Sequence, residues 1–392
     1  MIIKLKNICS KIIKTFQLVI KSKWKFSRPK LNKILIIDGV DDPFKFFFKK
    51  KKYEIIYRRG EEINIYVLFQ CLKKLQLTKI DYYINYIKLV NPKIILTYYD
   101  NLNFFYKLSN LSGIKTAFVV RGKRTYSDGL FKNNSKKFLN KKENFVDFMF
   151  VHNKQIVKKY EQIISGKVIP IGSFLNNIQK KNKLKKKGIL WISTYKPDGK
   201  DWINPNNQKK FTNSQFQKND KYIIKYLHDY SVKNNYDFYI LGRLKTEIEL
   251  DEINFYKKIL GKNFIFISKK KFPDSYAVLN KFIYVFTTWS TLGVEKLVNG
   301  GKVGFIFNKP NNASWNNARL GAIEGFKKRG PFWTTCGGQN FKEFKRVINF
   351  VFKASNKSWF LARKKYGSKL MIFDKGNKKF KKVVDQILTS RS

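Results

Sequence analysis

Ser290, Thr291 and Glu295 have the spacing of a small anion and hydroxyl site. The run Phe282-Ile283-Tyr284-Val285-Phe286-Thr287-Thr288-Trp289 reads as a buried strand, and Ser290-Thr291 open a helix that Gly300-Gly301 stop. A second apolar strand, Lys302 to Phe307, completes a βαβ unit. The first-turn N–H groups of such a helix have no intrahelical partner, so they and the two hydroxyls can hold an anion. Glu295 lies on the same face four residues after Thr291, and helical side chains lean toward the N-terminus. A carboxylate beside an anion pocket repels phosphate but suits a ribose hydroxyl, which together describe a nucleotide site. The bland alternative is an ordinary N-cap at Ser290 with a solvated Glu295.

Ligands of open α/β sheets bind at the carboxyl ends of strands, and four further places qualify. Asp100-Asn101 follows the strand Lys93 to Tyr98, and Arg121-Gly122 follows Ile114 to Val120. Gly242-Arg243 follows 237–241, and Ser193-Thr194 follows 188–193. Transfer to a hydroxyl needs a base, and Asp100 is the first candidate and Asp128 the second, ahead of Asp41 and Asp42. Arg243 could stabilise a diphosphate leaving group. Asn101, Arg121 and Gly122 could meet an acceptor or a phosphate. Asx-turns and surface charges are the structural alternatives.

The elements that must position these residues fall into two αβ halves. The first opens with Ile34-Leu35-Ile36-Ile37-Asp38-Gly39, then a strand at 53–57, an apolar helical segment to Leu75 and a helix over 79–90. A short helix at 104–111, a helix at 153–164 and strands at 146–151 and 167–171 complete it. The second half restarts at Gly188 and alternates strands and helices up to the βαβ unit. The expected division is a basic amphipathic helix over 1–30, a Rossmann-like acceptor domain over 31–175, a polar linker over 176–187, a Rossmann-like donor domain over 188–355 and a helical tail over 356–392.

The 282–307 segment resembles the donor site of GT-B-type glycosyltransferases. More closely, its Ser-Thr-Leu-Gly-x-Glu stretch resembles bacterial proteins of surface carbohydrate, O-antigen and lipopolysaccharide biosynthesis. The turn at Tyr99-Asp100-Asn101, followed about 20 residues later by Val120-Arg121-Gly122, is similar to the same proteins, as is the order of elements over roughly 33–352. The resemblance implies two Rossmann-like domains facing across a cleft. It also implies a nucleotide-sugar donor, with Ser290 and Thr291 at its phosphates and Glu295 at its ribose, and a glycan or lipid-linked glycan acceptor. Where those relatives show a His-Gly or Asn-Gly turn, this chain has Arg121-Gly122, so no histidine base stands there. A glycerophosphotransferase or an epimerase on the same fold is the runner-up.

Composition narrows the field further. Lys and Arg number 81 against 27 Asp and Glu, a formal charge of +54 over 392 residues. Such a charge attracts polyanions, among them an anionic membrane surface. The lysines are spread along the chain and no basic finger or arm stands out, which argues against nucleic acid as the partner. Ile2, Leu5, Cys9, Ile12, Phe16 and Val19 recur at helical spacing among lysines, the pattern of a helix lying on a membrane. No apolar stretch reaches the ~20 residues that span a bilayer. Three scattered cysteines and two histidines offer neither a disulfide framework nor a zinc site. A cytoplasmic enzyme that needs neither metal nor cofactor, peripheral to the inner membrane face, is the expectation, with a catalytically silent basic binding protein as the non-enzyme alternative.

Overall fold

The structure, a computed structural model, describes residues 20, 22–39, 43–48, 52–76, 78–124, 129–131, 143–179, 186–197, 202–203, 210–217, 220–244, 248–268, 273–288, 290–306, 329–334 and 341–390. Asp128, Asp41, Asp42, Trp289 and residues 1–19 lie outside them.

Two six-stranded parallel sheets form the frame. In chain order the strands are β1 (Lys23–Lys25), β2 (Ile34–Ile37), β3 (Glu54–Ile56), β4 (Glu62–Asn64), β5 (Ile94–Thr97), β6 (Lys115–Val119), β7 (Phe145–Val151) and β8 (Ser165–Pro170). The second half supplies β9 (Lys186–Ile192), β10 (Trp202–Ile203), β11 (Lys210–Phe211), β12 (Asp237–Leu241), β13 (Ile265–Ile267), β14 (Phe282–Thr287), β15 (Lys302–Ile306) and β16 (Trp333–Thr334). The sheet orders are β3-β2-β5-β6-β7-β8 and β13-β12-β9-β14-β15-β16. Every pairing within both sheets is parallel. All strand carboxyl ends of a sheet therefore share one edge. Central strands read Ile-Leu-Ile-Ile or Ile-Ile-Leu-Thr because both faces are covered, and β2 and β5 are buried throughout.

Several expectations need correction. Lys23–Lys25 is not the end of an amphipathic helix; it is a strand paired in parallel with β4. Glu62–Asn64 takes the place of a helix start, and the helix begins at Ile65, where the Asn64 side chain caps Val67 N. The helix expected over 153–164 shrinks to Val157–Glu161. The expected linker over 176–187 is structured at both of its ends, and residues 180–185 lie outside the described residues. Asn176 and Asn177 are buried in a short 3-10 turn, and β9 already starts at Lys186. Their polarity reflects side-chain bonding inside the protein rather than solvation.

The C-terminal segment crosses back to the first half. Gly172 bridges Phe373, and its φ of +83° puts a would-be Cβ 2.0 Å from the Ile372 carbonyl, so only glycine permits this approach. The Ile372 N–H donates to the His152 carbonyl at 2.9 Å. The helix Lys378–Thr389 then sinks Phe380 among Phe44, Phe150 and Phe174, with ring centroids 6.0, 5.0 and 4.9 Å away. Removing such a ring would cost about 3–5 kcal/mol. No helix of the described residues is long and apolar enough to cross a membrane.

Candidate active site

The second sheet's carboxyl edge is knitted by short hydroxyls. Thr287 Oγ1 donates to the Ile192 carbonyl at 3.1 Å and accepts from Ser290 N at 3.4 Å. Thr288 and Thr194 share a hydrogen bond of 2.9 Å, which ties the end of β14 to the end of β9. Ser290 is extended, with φ −63° and ψ 134°, and caps Leu292 N at 3.2 Å, so the helix Thr291–Val298 starts where its sequence predicts. Gly293 lets that helix lie against the sheet, since a Cβ there would come 2.8 Å from Thr287 Cγ2.

Arg243 stands beside this edge. Its backbone N–H and that of Leu244 donate to the fully buried Glu252 carboxylate at 3.0 and 2.8 Å. Its guanidinium donates to the Tyr195 carbonyl at 2.9 Å and more weakly to that of Thr194 at 3.5 Å. Among the described residues no carboxylate forms an ion pair with it. Gly242 is explained by packing, because a Cβ would strike the Phe266 ring at 2.6 Å. Ser193 turns inward: its Oγ accepts from Tyr256 OH at 2.9 Å and from Tyr195 N at 3.2 Å, so the hydroxyl is spent inside the domain.

Glu295 lies in the seam between the halves rather than beside an open pocket. Ser173 Oγ donates to it at 2.5 Å, its backbone carbonyl accepts from Asn176 Nδ2 at 3.3 Å, and Asn299 reaches Asn176 Oδ1 at 2.6 Å. Burial pushes its carboxyl up to about 7, with the Ser173 and Tyr276 hydroxyls opposing. A position one turn beyond Thr291 is far enough along the helix to meet the 173–177 segment. The Glu295 charge is also felt by Tyr98 at the end of β5. The carboxyl edges of the two sheets thus come together at this helix.

The first sheet's edge is built from charged pairs. Asp100 is buried, and Arg124 grips it in bidentate fashion through Nε at 2.8 Å and NH2 at 2.6 Å. Tyr160 OH donates to the same carboxylate, and Tyr106 OH to the Asp100 carbonyl. Both oxygens of the carboxylate are thereby engaged by protein donors. Asn101 is exposed, and a Cβ on Gly122 would meet nothing within 4 Å. Arg121 is exposed and donates to Tyr99 OH at 2.9 Å.

His152 completes this edge, and the sequence reading passed it over. It follows β7 directly, so the strand-end rule that singled out Asp100 applied equally to it. Its side chain is buried and Nε2 has no hydrogen-bond partner. Burial pulls the imidazole down to about 4, Asp100 opposing and Lys123 and Arg124 adding to the fall. At neutral pH it is an uncharged imidazole with a buried, unused nitrogen, held beside an anion. Buried polar atoms are rarely left so, and this one stands at a strand carboxyl end. Among the described residues no group of three His, Cys, Asp or Glu side chains is placed to hold a metal.

Two Rossmann-like sheets with facing carboxyl edges, spanned by a returning C-terminal helix, define the GT-B fold. The model of a family described as "putative O-antigen biosynthesis protein" matches residues 117–388, and the chain belongs to that family. Solved structures agree on the fold. A UDP-N-acetylglucosamine 2-epimerase is similar at 10% identity, covering 93% of this chain and 98% of its own, with a TM-score of 0.55. The wall teichoic acid polymerase TagF is similar at 11% identity over 91% and 88%, with a TM-score of 0.53. MnaA of S. aureus, solved with UDP, shares 13% identity over 91% and 97%, with a TM-score of 0.52. No curated protein matches the sequence.

Proposed function

We propose that the protein is a glycosyltransferase that moves a sugar from a nucleotide-sugar donor to the hydroxyl of a surface-glycan acceptor, lipid-linked or free. The observation that carries this reading is Arg243, whose guanidinium forms no ion pair among the described residues and is joined through Thr194 and Thr288 to the start of the 291–298 helix. The donor diphosphate lies there. As the bond from the sugar anomeric carbon to the diphosphate oxygen breaks, charge grows on that oxygen, and the guanidinium and helix N–H groups stabilise it without a metal. The acceptor hydroxyl attacks from the first domain. His152 Nε2 takes its proton, and the Asp100 carboxylate steadies the imidazolium so formed. Asp100 therefore acts through His152 and Arg124 rather than as the base. The protein works at the cytoplasmic membrane face, drawn there by its charge.

Thermal-shift measurements with a panel of nucleotide sugars test the donor half. A stabilising nucleotide sugar, transferred with equal rate in the presence of a chelator, supports the reading. An epimer formed from donor alone, without acceptor, would replace it by the epimerase alternative. For the membrane, removal of residues 1–19 should release the protein from anionic vesicles. The deletion must stop short of β1, which the fold uses. Unchanged vesicle binding would assign the attraction to the surface lysines instead.

A further inference from the structure

One flank of the first domain exposes apolar side chains among lysines. The helix Ile65–Lys73 follows β4 directly, and β1 lies beside both. Phe69 and Leu72, one turn apart on that helix, are exposed, and so is Leu75 just beyond its end. On β1 and its continuation, Trp24 and Phe26 alternate with Lys23 and Lys25, and all four are exposed. A single exposed leucine is ordinary on a protein surface. Aromatic and aliphatic side chains gathered on neighbouring elements mark a contact surface.

Leu75 adds an independent sign. It follows the helix C-cap, where glycine is usual, with a left-handed backbone of φ 54° and 86% of its surface exposed. Leucine is disfavoured in that conformation and gains nothing from facing water, whereas glycine would suit both conditions. Strain at a projecting apolar residue points to a contact outside the fold.

Charge says what that contact is. From Ile20 to Lys33 the sequence holds six cations, and from Ile65 to Gln76 two, without one acid. The bordering carboxylates are engaged within the protein. Glu62 pairs with Lys25 at 2.8 Å, and Glu61 accepts from the Arg59 N–H at 3.0 Å. Glu54 accepts from Tyr86 OH at 3.0 Å, and Asp81 from the Thr78 N–H at 3.0 Å. Apolar tips fringed by long flexible lysines match a bilayer of anionic lipid: the tips enter the acyl boundary and the ammonium groups stay among the headgroups. Tryptophan favours the same boundary. The turn that carries Leu75 also lies at the first sheet's carboxyl edge, since Lys79 Nζ donates to the Arg58 carbonyl just past β3.

We propose that the flank formed by β1 and the helix Ile65–Lys73 docks on an anionic bilayer, with Trp24, Phe26, Phe69, Leu72 and Leu75 entering it. This assigns the membrane contact to a folded surface and brings the first sheet's carboxyl edge to the headgroups, where the hydroxyl of a lipid-linked acceptor stands. It rests on the glycosyltransferase reading only for that last step.

The test is co-sedimentation of the full-length protein with phosphatidylcholine vesicles that contain or lack phosphatidylglycerol. Leu72→Ser and Leu75→Gly should each weaken binding to the anionic vesicles about tenfold, the scale of one leucine side chain withdrawn from apolar surroundings. Leu75→Gly should do so without lowering the melting temperature, because glycine accepts the left-handed backbone, so unfolding does not account for the loss. Trp24→Phe should remove part of the tryptophan quenching by brominated lipid. Wild-type vesicle binding in both leucine variants would overturn the proposal. Self-association that both variants abolish, with vesicle binding unchanged, would assign the flank to a second copy of the chain instead. Leucine-dependent binding without transfer from any nucleotide sugar would sink the transferase reading and leave the surface standing. Vesicle binding lost in the leucine variants, with transfer to a soluble acceptor intact, supports both.

Discussion

The two carboxyl edges solve the same task with different materials. The second sheet's edge, the proposed donor side, is made of small residues and backbone: Thr194, Thr287, Thr288 and Ser290 pass hydrogen bonds between strand ends, and Gly293 brings the helix close. The first sheet's edge, the proposed acceptor side, is made of long charged side chains reaching between strands: Arg124 to Asp100, Arg58 and Arg59 to Asp38, Arg121 to Tyr99. The first kind of site is preorganised by the chain's local geometry. The second depends on residues 20 or more positions apart, so it can change specificity by substitution without disturbing the sheet.

The sharpest way to break this comparison is at His152. His152→Gln keeps a polar group in place but removes the basic nitrogen, and turnover should fall by about 10²-fold or more. Donor affinity should hold. Normal turnover would return the base to Asp100 or to Asp128. On the donor side, Arg243→Gln should weaken nucleotide-sugar binding and lower turnover further still, together about 10–100-fold. A loss confined to acceptor KM would put Arg243 on the wrong edge.

The stability effects are next in size. Asp100→Asn removes the buried charge that the half-buried Arg124 grips, and urea unfolding should show a loss of about 1–3 kcal/mol. A change near zero would mean that Arg124 reaches water freely. Gly293→Ala should cost about 1–3 kcal/mol through its clash with Thr287, whereas Gly122→Ala, in open space, should stay within about 0.5 kcal/mol. Equal costs at the two glycines would erase the distinction between a packed donor edge and an open acceptor edge.

The smallest effect concerns pH. Glu295 titrates at about 7 in the fold, above its usual 4.5, so the fold holds a proton the unfolded chain has released. Its contribution is complete below the unfolded value and is lost as pH rises through about 7. Asp220, raised by burial to about 8, acts in the same direction. His152, lowered to about 4, acts oppositely and is lost as pH falls from 6.5 through that value. Melting temperature should therefore decline between about pH 6.5 and 8, and Glu295→Gln should flatten part of that decline. An identical pH profile in the variant would show that Glu295 is ionised and solvated.

The fold was largely legible because its signals are local. Buried parallel strands such as Ile94–Thr97 announce themselves as apolar runs, and the Ser290 turn lies between two of them. What was hidden is long-range. Asn176 and Asn177 read as solvated linker, yet they bond to Glu295, Asn299 and Asn377. Glu295 read as a ribose ligand because its helix face was known and the neighbouring segment at Ser173 was not. The helical spacing ends at Val19, and the pairing of Lys23–Lys25 with Glu62–Asn64 joins segments too far apart in sequence for any local pattern to show. Asp100 stands at a strand end as its sequence predicts, whereas the bidentate grip of Arg124, 24 residues away, was not legible.

Phe380 and Val384 fill the core beneath β2, β5 and β6, strands made more than two hundred residues earlier. During synthesis the first domain leaves the ribosome lacking part of its own interior. It must stay open, or be shielded by a chaperone, until the last helix emerges. Closure of the first domain's core therefore waits for the helix Lys378–Thr389, so a copy truncated before Phe380 would lack part of that domain's interior.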